Sequence, residues 1–215
     1  MSVSLNQIME MPNAAILAER VQSALAEEQA KRRHFYEIIE EDKKMEFING
    51  EILFQSPAKL RHTNAIGLLL ILLKSFVTKN DLGFVGSEKM LISLSRNDYE
   101  PDVCFFGKEK SRDFSPTQMQ FPAPDIVVEV LSPSTEKHDR ETKFHDYSAH
   151  GIKEYWIVDA EHETVEQYIL QNEEYDLLVK AKDGKIQSIV LPDFSIRIRA
   201  VFDEKVNLEE LKKMI

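Results

Sequence analysis

The chain has 215 residues, 43% hydrophobic and 30% charged, which is enough apolar mass for one core of ordinary domain size. Its apolar run AIGLLLILL is about half of the ~20 residues that a membrane span needs, so no membrane partner is expected. A net charge of −10 excludes a surface coated in basic patches, and a lone Cys104 excludes an internal disulfide and a thiolate zinc cage.

That charge leaves a nuclease open, because carboxylates gathered around metal ions subtract heavily from the total. Cys104 lies between Val103 and Phe105 and reads as a small buried hydrophobe. With no basic-then-apolar leader pattern, the expected compartment is a reducing cytoplasm.

Residues 13–39 read as one long helix, with Ile16, Leu17, Val21 and Leu25 near helical spacing. We treat residues 1–40 as a helical extension that packs on the main domain, residues 41–215, or on a second copy. MEFINGEILFQS follows, and Asn49-Gly50 between two apolar runs signals a hairpin. A two-residue loop pairs Ile48 with Glu51 and Glu46 with Leu53. Directly paired residues share a face, so both glutamates are expected on the same side.

SPAKLRHTNAIGLLLILLKSF opens a helix, with Ser56 expected as N-cap and Pro57 as its first residue. His62 leads the inward stripe of Ile66, Leu69, Leu73 and Phe76, where a histidine fits a hydrogen-bonded core role or a substrate contact. EKMLISL and YEPDVCFF flank SRND as a second hairpin, with Asp102 on the face of Cys104 and Phe106.

PDIVVEVLSPST, residues 124–135, has the composition of a buried strand. Asp125, Val127, Glu129 and Leu131 share one face and Ile126, Val128 and Val130 the other. No Lys or Arg lies in the run, and an unpartnered buried carboxylate costs several kcal/mol or shifts its pKa. A helix from about Glu136 to His150 comes next, with Gly151 closing it, and then the buried strand EYWIVD. Strand, helix and strand over 125–159 predict a parallel crossover. The rest alternates as a β-meander. The fold class is α/β with one mixed sheet flanked by helices.

Glu46, Glu51, Asp102, Asp125 and Glu129 supply acids, and Lys143 sits on the following helix. Acids from adjacent strands suit a hard divalent cation, which takes one or two carboxylates with water and phosphate. Each residue also has a plainer reading. Glu46 fits an exposed cross-strand partner, Asp125 a strand start, and Lys143 a solvated position beside Asp139 and Asp146. Arg140 fits solvent or a DNA-backbone contact, while Tyr147, Tyr155 and Trp156 fit the core.

EFINGEI followed by SP, then His62, PDV, PDIVVEVLSPST, DRETKFHDY and GIKEYWIVD occur in one order over roughly residues 45–200. In these pieces the chain resembles the Uma-type family of endonucleases, within the PD-(D/E)xK restriction-endonuclease-like superfamily. The resemblance implies a Mg²⁺- or Mn²⁺-dependent DNA endonuclease of restriction-endonuclease-like fold. It makes Asp102 the first acid, Glu129 the second, and Glu51 the completion of the metal-holding cluster. Leu131 stands where the superfamily lysine would be, so Lys143 is its implied replacement. Glu46, His62 and Asp125 are possible contacts around the site. Superfamily habit and the spare helix imply a homodimer. The alternative is a nuclease fold that binds nucleic acid or a protein without cutting, which Leu131 and the acidic charge favour. A catalytic Lys143 predicts that Lys143→Met lowers cleavage and leaves folding nearly intact.

Overall fold

The computed structural model describes residues 4–40 and 43–215. It begins with α1 (Leu5–Met9), α2 (Ala14–Ile38), β1 (Met45–Ile48), β2 (Glu51–Phe54) and α3 (Leu60–Lys79). Strands β3 (Gly83–Ser87), β4 (Leu91–Ser93), β5 (Asp98–Tyr99) and β6 (Val103–Gly107) follow, then α4 (Lys108–Ser111), β7 (Gln120–Phe121) and β8 (Ile126–Val130). A π-helical turn (His138–Thr142) leads into α5 (Lys143–Ala149) and β9 (Glu154–Asp159). The chain closes with β10 (Thr164–Gln171), β11 (Glu174–Ala181), β12 (Lys185–Gln187), β13 (Ser195–Arg197), a 3-10 turn and α6 (Glu204–Met214).

Six strands form the central sheet in the order β11-β10-β9-β8-β6-β3. Only β8 and β9 run parallel in it, joined by the π turn and α5, so the sheet is mixed as predicted. The hairpin β1–β2 has the expected register, Glu46 opposite Leu53 and Ile48 opposite Glu51. It belongs, however, to a second sheet, β2-β1-β5-β4-β7, and β12–β13 form a small third one.

The expected single sheet divides at Glu100–Asp102. YEPDVCFF was read as one strand, but Pro101 has no N–H to give a ladder. The chain therefore leaves β5, which pairs with β4, and enters β6 between β3 and β8. GFVGS, with little apolar alternation, becomes strand β3 because β6 offers it a partner edge.

Alternation along β6 and β8 sends Val103, Phe105, Ile126, Val128 and Val130 into a core beneath α3. Cys104, Phe106 and Val127 pack on the other side with Tyr147, Tyr155 and Tyr175. Helix α3 is long and apolar enough to cross a membrane by composition, but here Ile66, Leu69, Leu73 and Val77 fill that first core. It starts later than predicted, at Leu60 with Lys59 as its N-cap. The Ser56–Ala58 segment stays outside the helix and lines a pocket instead.

Helix α2 is held by its C-terminal half. Phe35 is buried against Met45, Phe47 and Leu91, Arg32 clasps Asp98 at 2.6 and 2.8 Å, and Glu28 binds Arg96. Ile16, Val21 and Leu25 remain exposed, so of the two expected packings, on the domain or on a second copy, this stripe does not take the first. At the other end, SIRIRAVF leaves the meander at Ile198, and Asp203 caps α6 through the N–H groups of Lys205 and Val206.

Candidate active site

The antiparallel register of β6 and β8 sets Val103 opposite Val128. One step further along both strands brings Asp102 beside Glu129. Asp102 Oδ2 accepts the Val130 N–H at 2.7 Å, which locks the carboxylate across the strand end. Its Oδ1 accepts Lys44 Nζ at 2.7 Å, and His62 Nε2 lies 3.7 Å from Oδ2. Burial alone would raise this acid's pKa, but His62 and Lys44 outweigh it and hold the carboxyl well below the usual range. Burial likewise opposes protonation of His62, and Asp102 overcomes it, raising the imidazole's pKa.

The crossover carries the second half of the site. The π turn ends where the Lys143 N–H donates to the His138 carbonyl, one residue beyond the α-helical partner. Lys143 Nζ reaches Glu46 Oε1 at 3.0 Å, Glu129 Oε1 at 3.0 Å and Asp139 Oδ1 at 3.1 Å. Tyr147 donates its hydroxyl to Glu129 Oε1 at 2.9 Å, and the Glu100 N–H donates to Glu46 Oε1 at 3.0 Å. These contacts explain how an apolar strand carries Glu129: its countercharge comes from the next helix.

Lys143 is 1% exposed, so it is no solvated helix lysine. Burial would lower its pKa, but Asp139, Glu129 and Glu46 raise it well above the ordinary value. Burial and the neighbouring acids Asp139, Asp102 and Glu46 push Glu129 up, with Lys143 opposing them. Asp102 and Glu129 thus sit side by side with their proton affinities driven in opposite directions.

A pocket of about 650 Å³ opens over this cluster. Lys44, His62, Glu88, Asp102, Glu129 and Lys143 line it, together with the hydroxyl residues Ser132, Ser134 and Thr135. Of the residues expected from the sequence, the structure brings together Asp102, Glu129, Lys143, Glu46 and His62. His62 Nδ1 is buried with no hydrogen-bond partner among the described residues.

Glu51 is not in the cluster. It obeys the predicted face and register, yet it lies beside the turn on edge strand β2. Its side chain is 75% exposed and pairs with Lys31 at 3.7 Å. Glu46, on the inner strand, holds the place expected for it. Asp125 is also elsewhere: at the far end of β8 it accepts the Gly107 N–H at 2.8 Å and pairs with Lys110 and Lys153. Four residues of strand separate it from Glu129, roughly 13 Å, which makes it a strand anchor. Arg140 is bound through both terminal nitrogens to Glu166.

Three contributors escaped the sequence reading. Asp139 was read as a solvated neighbour and is buried at the centre. Tyr147, correctly placed in the core, also donates to Glu129. Lys44 was not singled out; its only signal was its position directly before the hairpin strand that carries Glu46.

The donor set suits a hard divalent cation in the limited sense that such ions require. Asp102 and Glu129 are one carboxylate pair, leaving other positions to water and phosphate. Among the described residues no three His, Cys, Asp or Glu side chains group as a metal cage.

Residues 32–199 match the model of the Uma2 family, described as "Putative restriction endonuclease". An uncharacterised protein of Synechocystis sp. is 32% identical over 128 residues, covering 58% of this chain and 71% of its own length. Among solved structures, a "putative nuclease belonging to DUF820" from Anabaena variabilis superposes with a TM-score of 0.68 and 18% identity. That likeness covers 82% of this chain and 96% of the other, and it establishes a shared fold.

Proposed function

This chain belongs to the Uma2 family of restriction-endonuclease-like proteins, and on that premise we propose that it is a Mg²⁺- or Mn²⁺-dependent DNA endonuclease working in the Asp102–Glu129 pocket. The observation that carries this reading is the adjacency of those two acids at paired strand ends, on the floor of an open pocket, with ammonium groups beside each.

Asp102 and Glu129 would hold the cation, which supplies Lewis acidity and lowers the pKa of a water molecule. The protein's own contribution is position and charge. The Val130 N–H fixes Asp102, and Tyr147 with Lys143 fixes Glu129, so both carboxylates are preorganised on rigid strand ends. His62, on the pocket wall, is placed for a phosphate oxygen once protonated. Ser132, Ser134 and Thr135 offer hydroxyl donors at the rim.

The second reading is a nuclease fold that binds nucleic acid or a protein without cutting. It draws on Leu131 at the superfamily lysine position and on the absence of a three-ligand group among the described residues. A cleavage assay with Mg²⁺ and Mn²⁺ on supercoiled, linear, branched and single-stranded DNA separates the two. Cutting that vanishes in Asp102→Asn and in chelator supports the endonuclease. Binding without cutting on every substrate gives the second reading the lead.

A further inference from the structure

Of the lysines lining this pocket, Lys44 pairs with Asp102 and Lys143 with Glu129, and the two differ in how they are enclosed. An ammonium has three donors. Around Lys143 Nζ stand three carboxylate oxygens at 3.0–3.1 Å, from Glu46, Glu129 and Asp139, and the side chain is 1% exposed. Its hydrogen bond goes to Glu129 Oε1 and the charges of Glu46 and Asp139 enclose it, so drawing Lys143 towards a substrate would strand buried acids.

Lys44 is arranged differently. It precedes β1 at the pocket wall and is 14% exposed. It has two carboxylate partners, Asp102 Oδ1 at 2.7 Å and Glu88 Oε2 at 3.3 Å. Glu88 is itself 48% exposed at the pocket edge, and its N–H donates to the Asp102 carbonyl at 3.1 Å. Lys44 therefore sits on the carboxylate that the proposed endonuclease would use for its cation, at the wall of the open pocket, with the exposed Glu88 as its second partner.

Resting on the endonuclease reading, we infer that Lys44, and not Lys143, is the ammonium that contacts the substrate phosphate, and that it neutralises Asp102 until a divalent cation takes that carboxylate. Lys44 and the cation compete for one carboxylate oxygen, Asp102 Oδ1. Their exchange couples loading of the site to release of a positive charge into the pocket. No bond is made or broken in the exchange. Lys143 keeps Glu129 and Glu46 in place, as a positioning residue.

The test uses the full chain with Lys44→Gln and Mn²⁺ alone, followed by calorimetry. Removing the competitor should tighten Mn²⁺ binding at least about tenfold, equivalent to about 1.4 kcal/mol. Cleavage at saturating Mn²⁺ should fall by about 100-fold, with part of the rate restored in Lys44→Arg. Unchanged or weaker Mn²⁺ binding in the glutamine variant overturns the inference. A wild type that binds Mn²⁺ but cuts nothing refutes the endonuclease reading, while the Mn²⁺ comparison still judges the competition. If Lys44→Gln does not fold, the wild type serves alone through its lysine ¹⁵Nζ resonances. Mg²⁺ should move the Lys44 signal further than that of Lys143, whose ammonium stays among Glu46 and Asp139; an equal or smaller Lys44 shift overturns the inference.

Discussion

Lys143 Nζ and Glu129 Oε1 lie 3.0 Å apart, with both side chains at least 96% removed from solvent. They come from different elements, the helix and the first strand of one crossover, and without the lysine the acids Glu129, Glu46 and Asp139 would lose the ammonium they share. Breaking one partner of such a pair costs more than the pair itself contributes, because the remaining charge is left in a poor solvent.

Lys143→Met should therefore destabilise the protein by about 3–5 kcal/mol, read from urea unfolding. This replaces the expectation, drawn from sequence, that the substitution leaves folding nearly intact. Lys137→Met in the same segment should change stability by less than about 0.5 kcal/mol. Equal, small effects from both would mean that the Lys143 ammonium does not hold the cluster together.

Glu100 gives a pH signature. Burial, assisted by Glu46 and opposed by the Met45 N–H, pushes its carboxyl up to about 7 from an ordinary 4.5. Between those values the folded chain keeps a proton that the unfolded chain has lost, so stability falls as pH rises through the window. The full cost, at most about 3 kcal/mol, is present above pH 7. Glu100→Gln should remove that cost at pH 8 and change little at pH 4.5. A variant no more stable than wild type at pH 8 would refute the shift.

Millimolar Mg²⁺ or Mn²⁺ should raise the melting temperature, because a ligand that binds only the folded state stabilises it. Asp102→Asn should abolish the rise and Glu129→Gln should weaken it. Glu51→Gln, altering an exposed glutamate at the hairpin tip, should leave it as in wild type. A loss of the response in the Glu51 variant would return that residue to the site.

Helix α2 hangs on Phe35, which is fully buried among Met45, Phe47 and Leu91. Phe35→Ala should cost about 3–5 kcal/mol and speed proteolysis within α2 before the rest of the chain is cut. Proteolysis at the wild-type rate would show that the Arg32–Asp98 and Arg96–Glu28 pairs suffice to hold the helix.

Sequence alone determined what depends on neighbours along the chain. Alternation in PDIVVEVL fixed which side of the sheet Glu129 takes. Asn49-Gly50 fixed the hairpin register, the 125–159 pattern gave the parallel crossover, and Gly151 closed its helix in the left-handed region at φ +72°. Each of these follows from a backbone period or a turn preference that a few residues express.

Tertiary structure decided which of several equally well-facing groups meet. Glu46 and Glu51 satisfy the same face rule, but only the inner strand carries its glutamate under the π turn and α5. Asp125 and Glu129 share one face of one strand, and the position of the crossover helix over one end selects Glu129. The family resemblance pointed to Lys143, and no motif in the sequence pointed to Lys44. Their roles part because α5 docks its lysine among three acids, whereas the segment before β1 leaves its lysine two acids and an open pocket. A residue's period tells which way it points, and long-range docking, set by how whole elements pack, tells what it reaches.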